Sequence, residues 1–335
     1  MYKSRHKMQG NCENCTLYRS TTPEISDFDD NRYHKYELQL TISMIAIVGL
    51  TVVFLSVIGG YVMEHGQLLV LVQPAEFVII GGAAIGTLLV SVPFRVLKET
   101  LRQLGKILGK GPTKKNYLDL LTMMYVLFNV ARKDGLVGLE GHIENPEKSS
   151  VLTKYPEIIK KKQTLNFLVD TIRLIIMGGV PDHDLEAMMD EDLETLHHEN
   201  LQPSVSLSRV GDALPGLGIV AAVLGVVITM GAIDGPPSEI GHKVGAALVG
   251  TFLGILLSYG VVQPLSANIQ LMVESEAKYY TCLKQGLIAF HKGFAASIAV
   301  EFARRVISTE VRPSFSEVEE ACRASKAAKV AVANG

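Results

Sequence analysis

The chain has 335 residues, 48% hydrophobic and only 20% charged, with a formal net charge of -2 and a mean hydropathy of +0.25. Length alone would admit two or three soluble domains, but this apolar excess argues for a membrane class. The near-neutral charge, with no basic face, gives no reason to propose a nucleic-acid partner.

Residues 1–43 are polar, of mixed charge and without sustained periodicity, so they read as a loose cytoplasmic extension. Met44 heads the first apolar run, which points to a mis-assigned upstream start. Cys12 and Cys15 form a lone CxxC with no second pair and no histidines at ligand spacing, so no metal site is expected there. With Cys282 and Cys322 they fall in regions read as cytoplasmic, where thiols stay reduced. No cleavable signal peptide is evident ahead of the first apolar run.

Four stretches carry no Asp, Glu, Lys or Arg: 26 residues between Glu37 and Glu64, 18 between Glu76 and Arg95, 21 between Asp212 and Asp234, and 30 between Lys243 and Glu274. About 20 apolar residues cross a hydrocarbon core of roughly 30 Å. Transmembrane helices are therefore expected near 41–63, 76–93, 212–232 and 244–265. Arg95, Lys98, Arg102, Lys106, Lys110, Lys114 and Lys115 follow the second span, whereas the connector 64–73 has no Lys or Arg and 232–243 has only Lys243. The basic excess marks the cytoplasmic side, so both termini and the central segment are read as inside.

Glycines at 59–60, 81–82 and 86 predict close helix packing for the first two spans. Residues 95–209 read as a helical cytoplasmic domain, basic at its start and acidic over 181–199, with few or no strands. The run 120–131 is too short to cross and suits a core helix. The segment 165–177 suits a helix with one wet face carrying Asp170 and Arg173, stopped by Gly178, Gly179 and Pro181. Past Pro264 the pattern turns amphipathic, so the fourth span should continue as one long helix into the cytoplasm, with residues beyond about 322 frayed.

Enzyme motifs are missing: there is no P-loop, GxSxG or HExxH, no cofactor is implied, and His197–His198 reads as a solvated pair. An ion path usually marks itself with an ionisable group inside a span, and none is found in the core of the four. The polar groups there are hydroxyls, Thr51, Ser56, Thr87, Ser91, Thr229, Thr251, Ser258 and Tyr259, most of them expected to bond back to their own helix. If ions pass, a partner helix must supply the carrier. Pro215 and Pro264 bracket the third and fourth spans at one level, either as hinges or as plain helix ends.

Several segments carry a family likeness: QPAEFVIIGGAAIG (73–86), RKDGLVGLEGHIENP (132–146), YPEII (155–159), LNFLVDTIRLIIMGG (165–179), MMDEDLET (188–195), GDALPGLGIVAAVLGVV (211–227), VGTFLGILLSYG (249–260) and RPSFSEVEE (312–320). In this order and spacing they resemble the MotA family of flagellar motor stator subunits, within the MotA/TolQ/ExbB proton-channel superfamily, over about 44–320. The resemblance implies an all-α, four-span inner-membrane protein whose copies ring a MotB-like partner, as a pentamer around a dimer. That partner would bring the membrane aspartate and grip peptidoglycan, and ion flow would turn the rotor protein FliG. It assigns rotor contact to Arg132 and Glu140, coupling to Pro215 and Pro264, and the hydroxyl facing the partner's aspartate to Thr251. Ala222 stands where sodium-driven relatives have a threonine, which implies protons, since a methyl cannot ligate sodium. The segments are then 44–94 (two spans), 95–209 (rotor-facing domain), 210–265 (two spans) and 266–335 (cytoplasmic helix and tail). Residues 1–43 have no counterpart in the family pattern, and Gly216 departs from the bulkier residues usual beside the first proline. An ExbB- or TolQ-like subunit driving an envelope protein, and a membrane scaffold without ion flow, are the competing readings.

Overall fold

The computed structural model describes residues 30–106, 111–231 and 233–333. Cys12 and Cys15 lie outside them. The chain divides into a unit of residues 1–42 and a larger unit of 43–335. Thirteen α-helices, and no strand, are found among the described residues: α1 (Asp30–Met63), α2 (Leu68–Leu71), α3 (Pro74–Ser91), α4 (Phe94–Lys106), α5 (Lys114–Asp134), α6 (Glu140–Ile143), α7 (Pro156–Lys160), α8 (Lys162–Met177), α9 (Asp182–Met230), α10 (Pro237–Leu257), α11 (Gln263–His291), α12 (Ala296–Arg305) and α13 (Phe315–Ala333).

Four helical stretches are long and apolar enough to cross a membrane: Ala46–Met63, Leu68–Ser91, and stretches within Asp182–Met230 and Pro237–His291. Their apolar side chains face outward in the single chain; Leu55 is 66% exposed and Ile228 67%. Such a surface needs lipid or protein to cover it. The second span reaches further toward its N-terminus than 76–93, and Glu76 therefore lies inside it. The expectation of span cores without an ionisable group was drawn on bounds that put Glu76 at the edge of 76–93; the longer bounds take it in, in the first turn of α3.

The largest difference from expectation is helix length. The third span is the C-terminal part of a 49-residue helix that begins at Asp182, so the acidic stretch 181–199 forms its N-terminal end. The fourth span does continue as expected, from Pro237 through a π-helical turn at Ser258–Val262 to His291. Pro215 lies inside α9, and Pro264 follows the π turn within the same continuous run, so neither proline ends a helix. A proline leaves the carbonyl four residues earlier without its helical donor, and a widened π turn is one way the backbone absorbs that.

Contact between α9 and α10 rests on small residues. A Cβ at Gly218 would fall 2.8 Å from the Gly250 carbonyl oxygen, one at Gly254 2.6 Å from the Leu214 carbonyl oxygen, and one at Gly225 2.6 Å from the Ala247 Cβ. In lipid such backbone contact replaces the hydrophobic effect as the force holding helices together. Within the single chain Gly59, Gly60, Gly81, Gly82 and Gly86 make no close contact: a Cβ at each would meet nothing within 4 Å. Helix α3 instead packs on α9 and α10 through buried Ile80 and Ala84.

Outside the spans, α5 forms the core helix expected for 120–131. It buries Leu120, Leu121, Met124, Leu127 and Phe128 among Leu168 and Ile172 of α8, Leu283 and Leu287 of α11, and Ala299 and Ala303 of α12. A reciprocal Thr113–Asn116 cap starts it. Helix α8 has the expected wet face, with Arg173 on Asp170 at 3.2 Å, and is stopped by Gly178 and Gly179 at φ +69° and +80°. This core is dry: burial pushes the Tyr155 hydroxyl up to about 12 and the Cys322 thiol up to about 11, so both stay protonated near neutrality. Helix α13 extends to Ala333, past the fraying expected from about 322.

Candidate ion pathway and coupling site

The six positions singled out in the sequence form three groups along one line of helices. Ala222 and Thr251 meet at the α9–α10 crossing. A Cβ at Gly250 would lie 3.2 Å from the Ala222 nitrogen, and one at Gly218 would lie 3.3 Å from the Thr251 Cα. Both side chains are half-buried. The hydroxyls of Thr51, Thr87 and Thr229 bond back to the carbonyls of Ile47, Ala83 and Gly225 at 2.8, 2.9 and 2.8 Å, as expected. Thr251 makes no hydrogen bond among the described residues, which leaves its oxygen open to an outside group.

Pro215 and Pro264 flank a polar clasp between the two long helices. Ser258 Oγ donates to the Gly211 carbonyl at 2.7 Å, Gln263 Nε2 donates to Asp212 Oδ1 at 2.6 Å, and Ser204 and Ser266 each donate to the other's carbonyl at 2.9 and 2.8 Å. Glycine at 211 lets the Gln263 side chain lie against the α9 backbone, since a Cβ there would fall 2.9 Å from Gln263 Nε2. The two prolines are thus within about a turn of one shared contact, and the clasp holds the helices together where each has lost a backbone bond.

Arg132, in the last turn of α5, and Glu140, at the start of α6, flank a turn. Helix α5 ends at Asp134, Gly135 turns the chain at φ +75°, and a 3₁₀ turn of Leu136–Leu139 leads into α6, which Glu140 begins. Leu139 and Ile143 anchor this loop in the core, while Arg132 and Glu140 stay exposed. Two exposed charges of opposite sign on an anchored loop can engage a charged partner.

Sequence reasoning passed over two further features. Glu76 is buried against Gly250, next to the Ala222–Thr251 crossing. Lys284 of α11 is 6% exposed, with Nζ 2.5 Å from Asp190 Oδ1 on α9; it ties the two long helices together outside the spans. The first could have been suspected from the carboxylate inside QPAEFVII; the second depends on two helices 94 residues apart. Among the described residues no group of three or more His, Cys, Asp or Glu could hold a metal.

Fold and site together define a polytopic helical membrane protein whose two longest continuous helical runs meet at small residues in the span and run on into a helical core outside it. Residues 47–135 match the Motility protein A N-terminal family and residues 159–281 the MotA/TolQ/ExbB proton channel family. The chain belongs to the Motility protein A family within that channel family. It is 43% identical over 284 residues to Motility protein A of Escherichia coli (strain K12), covering 84% of this chain and 96% of the relative. It is 38% identical to Chemotaxis protein LafT of Vibrio parahaemolyticus serotype O3:K6, covering 82% and 96%. The fold is shared with C. jejuni MotAB, at a TM-score of 0.66 and 18% identity over 81% of this chain and 98% of that one. It is also shared with the flagellar MotAB stator complex from Bacillus subtilis, at 0.60 and 22% over 76% and 92%.

Proposed function

We infer that this chain is a stator subunit of the flagellar motor. In the inner membrane, with both termini inside, several copies ring the helices of a MotB-like partner, as a pentamer around a dimer. The partner supplies the membrane aspartate, which faces Thr251 and Ala222. Protons, admitted where Ala222 offers no sodium ligand, change the partner's charge and with it the packing at the α9–α10 crossing. The segments 44–94 and 210–265 form the membrane part, 95–209 the rotor-facing domain and 266–335 the returning helix and tail.

One observation carries this reading: both helices of the crossing are continuous with the cytoplasmic core. Helix α9 runs 49 residues and the α10–α11 run 55. Helix α11 delivers Tyr279 and Phe290 against Tyr117 and Phe128 of α5, at 5.4 and 4.5 Å between ring centroids. Helix α5 ends at the loop bearing Arg132 and Glu140. A shift at Thr251 therefore has a packed route to the rotor-facing charges, bending at Pro215, at Pro264 and at the π turn. The match over residues 47–135 to the Motility protein A N-terminal family supports the flagellar reading over an ExbB- or TolQ-like one.

Co-expression with an unplugged MotB-like partner tests the channel. Proton leak is expected, and changing the partner's membrane Asp to Asn is expected to abolish it. A leak that survives this change would sink the proposal. Reversing the charges, R132E with E140K, is expected to stop swimming while leaving the leak intact, with recovery when the opposing rotor charges are reversed.

A further inference from the structure

Glu76 is the one described carboxylate that the fold buries in a span without giving it a partner. Only 7% of its surface is exposed, and its Oε2 is unpartnered among the described residues. It stands in the first turn of α3 but accepts no hydrogen bond from that helix start, so it does not serve as a cap. Its surroundings come from α9 and α10. A Cβ at Gly250 would lie 2.6 Å from Glu76 Oε2, 3.1 Å from the Ala221 Cβ and 3.2 Å from the Ala222 nitrogen, so the carboxyl sits directly against the glycine at the α9–α10 contact and a side chain at 250 would push it aside. Gly250 lies seven residues past Lys243, about 10 Å into the charge-free part of α10, which places the carboxyl beside the apolar part of that helix. Thr251 follows Gly250 in the chain.

An ionisable side chain held in a span is costly to keep, and those that persist mark ion paths and proton relays. Here the carboxyl is seated at the crossing assigned to ion flow, with a glycine directly against it. We propose that Glu76 is a proton carrier of the ion pathway, standing behind Gly250 and exchanging protons with the partner's membrane carboxylate past Thr251. The protonated Glu76 gives its proton to the partner's carboxylate, which becomes neutral as Glu76 becomes anionic. A proton from the outer aqueous phase then restores the acid. Two carboxyl groups, one on each protein, would thus work in series. The inference rests on the proton-channel reading above.

The test uses the complex of this chain with its unplugged partner, reconstituted in vesicles, with proton flux read from an internal pH dye and expressed per assembled complex. E76Q keeps the shape of the side chain and cannot exchange a proton; flux is expected to fall about tenfold or more. E76D keeps the acid and is expected to retain a substantial part of the flux. Unchanged flux in E76Q would overturn the proposal. So would a loss in E76L that is not shared by E76Q, since that pattern marks a space-filling role. The partner's Asp→Asn change, run in parallel, separates the two claims: if it stops the flux while E76Q does not, only the role of Glu76 fails, and if it leaves the flux unchanged, the channel reading fails with it.

Discussion

Individual glycines decide how closely the membrane helices approach, and they are not interchangeable. A Cβ at Gly254 would meet the Leu214 carbonyl oxygen at 2.6 Å and the Gly218 Cα at 2.9 Å; both are backbone atoms, so the helices themselves would have to part. At Gly216 a Cβ would meet nothing within 4 Å, and the residue is exposed. Gly254→Ala is therefore expected to destabilise the folded chain by about 1–3 kcal/mol through overpacking. Gly216→Ala is expected to be neutral or to stabilise it by about 0.5–1 kcal/mol, because alanine loses less backbone entropy in a helix. Thermal unfolding of the two variants in the same detergent would order them; equal midpoints would refute the assignment of the crossing to Gly254. The same comparison bears on Gly216 as a departure from the family pattern, since nothing packed against it requires glycine.

At the scale of elements, the structure differs from the sequence reading where helices change environment along their length. Charge-free lengths disclose the four spans because crossing a hydrocarbon core is a matter of composition, which any window of sequence displays. The start of α9 at Asp182 escapes notice, since its first turns are acidic and wet and its last are apolar, so no single periodicity runs through it. Glu76 escapes for a related reason: its burial depends on a missing Cβ at Gly250, 174 positions away, and no local pattern encodes that. Arg132, Glu140, Pro215, Ala222, Thr251 and Pro264 are singled out only by the family resemblance, and their roles stay a proposal, whereas the clasp of Ser258 and Gln263 on Gly211 and Asp212 became visible only with the helices side by side. The π turn beside Pro264 makes that position a hinge candidate, and Pro264→Ala gives it a test. Alanine restores the missing N–H, so the run can close into a regular α-helix; stability is expected to rise by about 1 kcal/mol, a fraction of the cost of an interior proline. Swimming is expected to fall despite that gain, because the bend between span and core is lost. A variant that is both stiffer and fully motile would remove Pro264 from the coupling proposal.

For the whole molecule, the question is whether the membrane crossing and the rotor-facing loop act as one body. Helix α11 packs on α5 through the shared core, and the tightest aromatic contact there is Phe128 on Phe290, with rings 4.5 Å apart and parallel within 2°. Phe128 is 1% exposed and lies one turn before Arg132. Replacing it by leucine keeps an apolar side chain but removes the stacked face, at a cost of about 1 kcal/mol, which a domain of this size can absorb. On the proposed function protons enter within the span and not at this contact, so Phe128→Leu is expected to leave the partner-dependent leak per complex unchanged. Torque must cross the contact, so tethered-cell rotation under load is expected to slow while membrane abundance stays constant. A variant that loses leak and torque together would mean that the core supports the channel itself, and a variant that loses neither would move the route of coupling away from α5 and toward the Lys284–Asp190 tie between α11 and α9. The split between leak and torque is the signature that distinguishes transmission from assembly, because a defect in assembly lowers both in proportion.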